Sequence, residues 1–227
     1  MNRSKIDQIF QTLASANPEP KTELTSANDF TLLVAIVLSA QATDASVNKA
    51  TPALFAAADT PEKMAALGEA KLKRYIQTIG LFNSKAKNVI ALSKKLVAEH
   101  GGRVPETLEE LRALPGVGNK TARVWLNCAR GEPLIAVDTH VFRVANRLGL
   151  CKTKTADETT SALEKAIPTQ WKQHAHHWLI LHGRYVCKAR KPECGRCAVA
   201  TWCNNPCHPV EPVSGRASTG SRKAKSQ

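Results

Sequence analysis

Leu114-Pro115-Gly116-Val117-Gly118-Asn119-Lys120-Thr121-Ala122 separates two amphipathic segments, and its reading decides the fold. Ahead of it, Thr107 and Glu110 have the spacing of a capping box and open a helical segment over 106–114. Behind it, apolar residues continue at helical spacing through Arg130. The pattern is a helix, a tight glycine turn and a second helix, spanning about 107–130. Gly116 and Gly118 permit positive φ and close backbone approach, which leaves the amides opening the second helix free to face an anion such as a DNA phosphate, with Gly116, Val117 and Gly118 as the DNA-binding candidates of the turn. Docking of that kind reads the backbone and not the base sequence. A bare Pro-Gly-x-Gly is also an ordinary turn without a ligand, so the surrounding chain has to decide.

Outward from the turn, helices dominate. Ile6, Ile9, Phe10 and Leu13 follow helical spacing until Pro18 and Pro20 interrupt it. The apolar run 31–40 is about half of the ~20 residues a bilayer span needs, so it reads as a buried helix. Thr60 before Pro61 has the form of an N-cap with proline at the first helical position. Asn83 and Gly101 bracket a further helix with an apolar stripe at Val89, Leu92 and Leu96. Alternating runs bounded by turn residues are few, so the expected fold is all-α.

The 227 residues, 43% of them hydrophobic, are enough to bury one substantial core or two modest ones. Thirty-two Lys and Arg against nineteen Asp and Glu leave a formal charge of +13, which points to a polyanionic partner or to a generic basic surface. The polar start, Met1 to Phe10, resembles neither a secretory signal nor a transit peptide, and a cytoplasmic protein is expected. Five of the seven cysteines crowd between Cys187 and Cys207, which in a reducing compartment indicates a metal site before disulfides. Cys187, Cys194, Cys197 and Cys203 are compact enough for one four-thiolate site, with zinc the chemical rival to iron–sulfur. Cys128 and Cys151 stand apart as ordinary buried thiols. The stretch 213–227, rich in Ser, Gly, Lys and Arg without acid, is expected to be disordered.

LPGVGNKTA resembles the hairpin of the helix-hairpin-helix DNA glycosylases, and of the endonuclease III family in particular. Leu38-Ser39-Ala40-Gln41-Ala42-Thr43-Asp44 and Gly80-Leu81-Phe82-Asn83-Ser84-Lys85-Ala86 are similar to that family's DNA-facing loops. Val137-Asp138-Thr139-His140 and the cysteine cluster follow in the family's order, and the likeness runs from about Met1 to Pro209. It implies two helical domains with a cleft between them. Residues 1–22 would form an N-terminal helix packing with the cluster domain, 23–131 a helical barrel carrying the hairpin, 132–211 the iron–sulfur domain and 212–227 a basic disordered tail.

The resemblance also assigns roles. Lys120 matches the family's nucleophile, and its place in the first turn of the second helix, at the positive end of the dipole, disfavours an ammonium; a neutral amine is nucleophilic. Asp138 precedes Val141, Val144 and Leu148 at helical spacing, which makes it an N-cap; the resemblance adds electrostatic and proton-transfer assistance to Lys120. A base inside a duplex is unreachable unless the nucleotide is flipped out, and the resemblance makes Gln41 and Leu81 the wedges that fill the gap. It makes the four cysteines the ligands of a [4Fe–4S] cluster that pins the loop 188–193, presenting Lys188, Arg190 and Lys191 to phosphates. Cys207 lies outside the family's four.

The function implied is excision of oxidised pyrimidines such as thymine glycol from double-stranded DNA, with cleavage of the abasic site by Schiff-base β-elimination, by a monomer. One alternative is a monofunctional adenine-type glycosylase, against which Lys120 and the short C-terminus argue. The other is a non-catalytic helix-hairpin-helix binding module, against which Lys120 and Asp138 together argue.

Overall fold

A computed structural model describes residues 1–205, and within them the chain forms eleven α-helices and two single 3₁₀ turns, with no strand. Cys207 and the stretch 212–227 lie outside the described residues. The helices are α1 (Arg3–Ala16), α2 (Asp29–Ser39), α3 (Asp44–Ala57), α4 (Pro61–Leu67), α5 (Glu69–Ile76), α6 (Phe82–His100), α7 (Leu108–Arg112), α8 (Asn119–Arg130), α9 (Thr139–Leu148), α10 (Ala156–Ala166) and α11 (Thr169–Tyr185). None among the described residues is long and apolar enough to cross a membrane.

Two cores form. The first gathers α2 to α8 around α2, whose residues from Phe30 to Leu38 are all buried, as its unbroken apolar run requires. The second joins α1 to α9, α10 and α11 through Ile9, Phe10, Val141, Val144 and Leu179. Burial of side chains such as Ile9 and Phe10 contributes about 1.5–3 kcal/mol each, which ties the N-terminal helix to elements far along the chain. Between the cores runs an extended segment, 132–138. Successive side chains of extended backbone point to opposite sides, so Leu134 and Ala136 join the first core while Ile135 and Val137 join the second.

Caps set the helix starts. The Thr60 hydroxyl accepts the Lys63 amide with Pro61 next in line, as expected from the sequence. Full capping boxes close at Asn28–Thr31 and Thr155–Glu158. At Thr107 only half of the expected box is present. Its hydroxyl accepts the Glu110 amide and donates to the Glu110 carboxylate at 2.6 Å, so that carboxylate is not on the Thr107 amide.

Lys85, on the buried face of α6, is the one side chain among the described residues whose buried nitrogen has no hydrogen-bond partner. Burial pushes its pKa down, so protonation opposes folding at neutral pH and the opposition fades as the pH rises toward the unfolded value. Lys85→Met keeps the stem and removes the charge. It is expected to stabilise the protein at pH 7 by on the order of 1 kcal/mol, about 2–4 °C in apparent Tm, with the gain shrinking as the pH rises toward 10. Thermal melts of both proteins at pH 7 and pH 10 check this, and a lower Tm for the variant at pH 7 would show that the amine has a partner in solution.

Candidate active site

A cavity of about 840 Å³ opens between the two cores, and Lys120, Asp138 and Gln41 all line it. The hairpin delivers Lys120. Gly116 adopts φ +79°, and a Cβ there would stand 2.8 Å from Cβ of Asn88, so the turn requires glycine both for its conformation and for its contact with α6. Gly118 differs from expectation: its backbone is extended, at φ −88°, and it serves as the N-cap of α8 without a side chain to cap it. The first amides of α8 therefore have no intrahelical acceptor and stay available to an anion, with Lys120 as the second residue of the helix. Val117 is buried beneath the turn.

Asp138 arrives from the other side, at the end of the extended segment, where Oδ1 accepts the Val141 amide at 2.7 Å and caps α9. Close packing of α11 on α9 fixes that helix. A Cβ on Gly183 would meet Cβ of His140 at 2.9 Å and Cγ2 of Val144 at 3.0 Å, so the two backbones approach as only glycine allows.

Gln41, Leu81 and Lys191 are the three non-glycine residues with positive φ among the described ones, at 54°, 60° and 52°. All three are DNA-contact positions implied by the family resemblance. Left-handed backbone costs a residue with a Cβ roughly 1–2 kcal/mol, and such strain collects where a side chain must be held in a set direction. Leu81 is 58% exposed, directly ahead of α6, and Lys191 is exposed in the cysteine loop; neither lines the cavity. Leu81→Gly removes the wedge and the strain together. The variant is expected to match or slightly exceed the wild-type Tm while base excision from duplex falls by about 10-fold or more. A melt and a single-turnover assay settle it, and undiminished excision would remove Leu81 from the wedge role.

Several lining residues were not legible in the sequence. Arg184, on α11, bonds Oδ2 of Asp44 at 2.8 Å and also Glu23, whose carboxylate takes the Tyr185 hydroxyl as well. The wall is thereby clasped from both cores. His176 and His177 are buried on the same helix, and burial followed by its histidine neighbours pushes the His177 pKa down to about 3. Cys128, 3.5 Å from His177 Nε2, has its thiol pushed up to about 12 by burial, which disfavours the thiolate.

Cys187, Cys194, Cys197 and Cys203 surround a second cavity of about 300 Å³. Arg147 Nη1 stands 3.6 Å from the Cys187 sulfur and also donates to the Lys188 carbonyl, Arg147 Nη2 donates to the Ala189 carbonyl, and His182 Nε2 lies 3.5 Å from the Cys197 sulfur. The Arg147 guanidinium, a fixed donor, suits a group carrying negative charge on its sulfurs. The adjoining loop carries an acid of its own, Glu193. Arg196 and then Lys188 hold Glu193 well below the usual carboxylate range, at about 2, so Lys188 is already paired while Arg190 and Lys191 extend from the loop.

Residues 34–169 match the model of the HhH-GPD superfamily of base excision DNA repair proteins, and residues 187–203 match the iron–sulfur binding domain of endonuclease III, from the first of the four cysteines to the last. Endonuclease III of Rickettsia conorii is 58% identical over 90% of this chain and 97% of its own length. The Escherichia coli K12 protein of that name is 52% identical over 89% of this chain and 96% of its own. A solved structure of a trapped endonuclease III–DNA covalent intermediate superposes with a TM-score of 0.85 at 41% identity, covering 91% of this chain and 97% of the other. With the hairpin, the two-core fold and the four-cysteine cavity in place, this chain belongs to the endonuclease III family of helix-hairpin-helix DNA repair glycosylases and carries that family's [4Fe–4S] cluster.

Proposed function

We propose that this protein removes oxidised pyrimidines such as thymine glycol from double-stranded DNA, with Lys120 as nucleophile and Asp138 as its charged partner. The chain is a base excision repair glycosylase with abasic-site lyase activity. What carries the residue assignment is the shared cavity: an amine at a helix start and a capping carboxylate, from opposite cores, face one space large enough for a flipped nucleotide.

The chemistry follows from these groups. The Lys120 amine, as the free base, attacks C1′, and a C–N bond forms as the bond from C1′ to the base breaks. The base departs with the electron pair and takes up a proton. Opening of the sugar gives a protonated Schiff base on Lys120, loss of a C2′ proton expels the 3′ phosphate, and water releases the nicked product. Asp138 sits where it stabilises positive charge at the sugar and relays protons. Phosphates bind the α8 amides behind Gly118, while Gln41 and Leu81 occupy the vacated stack. Lys191 adds a phosphate contact from the loop pinned by Cys187, Cys194, Cys197 and Cys203, the proposed ligands of the cluster, whose contribution when bound is to hold that loop in one shape. Both catalytic side chains come from one chain, so a monomer suffices. The proposed location is the cytoplasm, where thiols remain available for the cluster.

Lys120 argues against the adenine-type reading, and a cavity lined by both an amine and a carboxylate is superfluous to a binding module. The test is incubation with a duplex bearing one thymine glycol in the presence of borohydride. A covalent protein–DNA complex, and a nick when borohydride is left out, are expected; binding without either would return the binding-module reading.

A further inference from the structure

Resting on that proposed function, we propose that His176 is a specificity-determining residue, its Nε2 accepting a hydrogen bond from the hydroxyls that oxidation adds to a pyrimidine ring. His176 lies on α11, is 3% exposed, and lines the same cavity as Lys120 and Asp138. Its Nδ1 is 2.8 Å from the Ala136 carbonyl oxygen. A carbonyl only accepts, so Nδ1 carries the hydrogen and, on the neutral ring, Nε2 presents a lone pair. Nε2 makes no hydrogen bond among the described residues. It is not sealed in either, because the single buried, partnerless side-chain nitrogen or oxygen there is Lys85 Nζ. Nε2 therefore opens on the cavity.

The ring is held neutral and oriented. Burial pushes its pKa below the ordinary 6.5, Lys120 and Arg184 push the same way, and the Ala136 carbonyl and Asp138 oppose them without prevailing. The His177 ring lies edge-on at 5.1 Å and fixes the plane. The wall thus offers a fixed acceptor that cannot readily turn into a donor. An intact pyrimidine has no donor on its C5–C6 edge, whereas a glycol or hydrate carries hydroxyls there. A donor from the damaged base satisfies Nε2; an intact edge leaves it dry and unpaired, which a recognition site penalises about 10-fold or more.

The experiment uses the full-length holoenzyme and two duplexes, one with thymine glycol and one with a preformed abasic site. In His176→Asn the amide nitrogen takes the place of Nδ1 and keeps the bond to Ala136, while nothing stands where Nε2 was. Expected is a fall of about 10–100-fold in kcat/KM for thymine glycol excision, with cutting of the abasic duplex within about twofold of wild type. His176→Gln, whose terminal oxygen reaches the Nε2 position, should recover part of the excision. Wild-type excision by the Asn variant would overturn the assignment, as would equal loss on both duplexes, which would place His176 with Lys120 or with the fold. A wild-type protein inert on both duplexes would sink the proposed function itself and this role with it.

Discussion

Lys120→Ala is expected to abolish borohydride trapping and to lower strand cutting at an abasic site by at least about 10³-fold, while duplex affinity and Tm hardly change. The amine is the atom that becomes bonded to C1′, so no neighbouring group substitutes for it by mere proximity. Loss of one cation weakens phosphate attraction by at most one contact, a change of about 0.9 in the slope of log affinity against log salt. Alanine is also the better helix former at this exposed position in the first turn of α8, so the fold has no reason to suffer. Measurement pairs trapping on an abasic duplex with binding by anisotropy. Lys21 and Lys154 also line the cavity, and a covalent complex surviving in Lys120→Ala would transfer the nucleophile to one of them.

Much of this was legible because its causes are local. The apolar run in α2, the N-cap at Asp138, the threonine cap at Thr60 and the turn glycine at 116 each reflect a backbone need that a short string can meet. Where the backbone need was met differently, reading the string misled: Gly118 is extended, and Glu110 bonds the Thr107 hydroxyl. The wall of the cavity was largely illegible. His176 and Arg184 are separated from Ala136, Asp44 and Glu23 by tens to more than a hundred residues, and only the packing of α11 against α9 and the extended segment 132–138 brings them together. The left-handed backbone at Gln41, Leu81 and Lys191 was equally hidden, since none of the three is a residue that favours it. There the loop imposes the conformation on the side chain, and the strained positions are ones that motif likeness proposes for DNA contact.

Asp138 holds two jobs in one carboxylate, and a pair of substitutions should separate them. Asn is as good an N-cap as Asp, and its side-chain oxygen can accept the Val141 amide that Oδ1 now accepts at 2.7 Å. Asp138→Asn is therefore expected to melt within about 1 °C of wild type yet to excise base about 10²–10⁴-fold more slowly, because the negative charge facing the developing positive sugar is gone. Asp138→Ala loses the cap as well, which costs about 1 kcal/mol and some 2–4 °C in apparent Tm. Its excision rate should be no lower than that of the Asn variant by more than the loss of folded protein explains. Near-wild-type excision by Asp138→Asn would reduce the residue to a cap. Slow excision at an unchanged Tm would instead mean that the charge was kept for the reaction, since the helix alone is served as well by an amide.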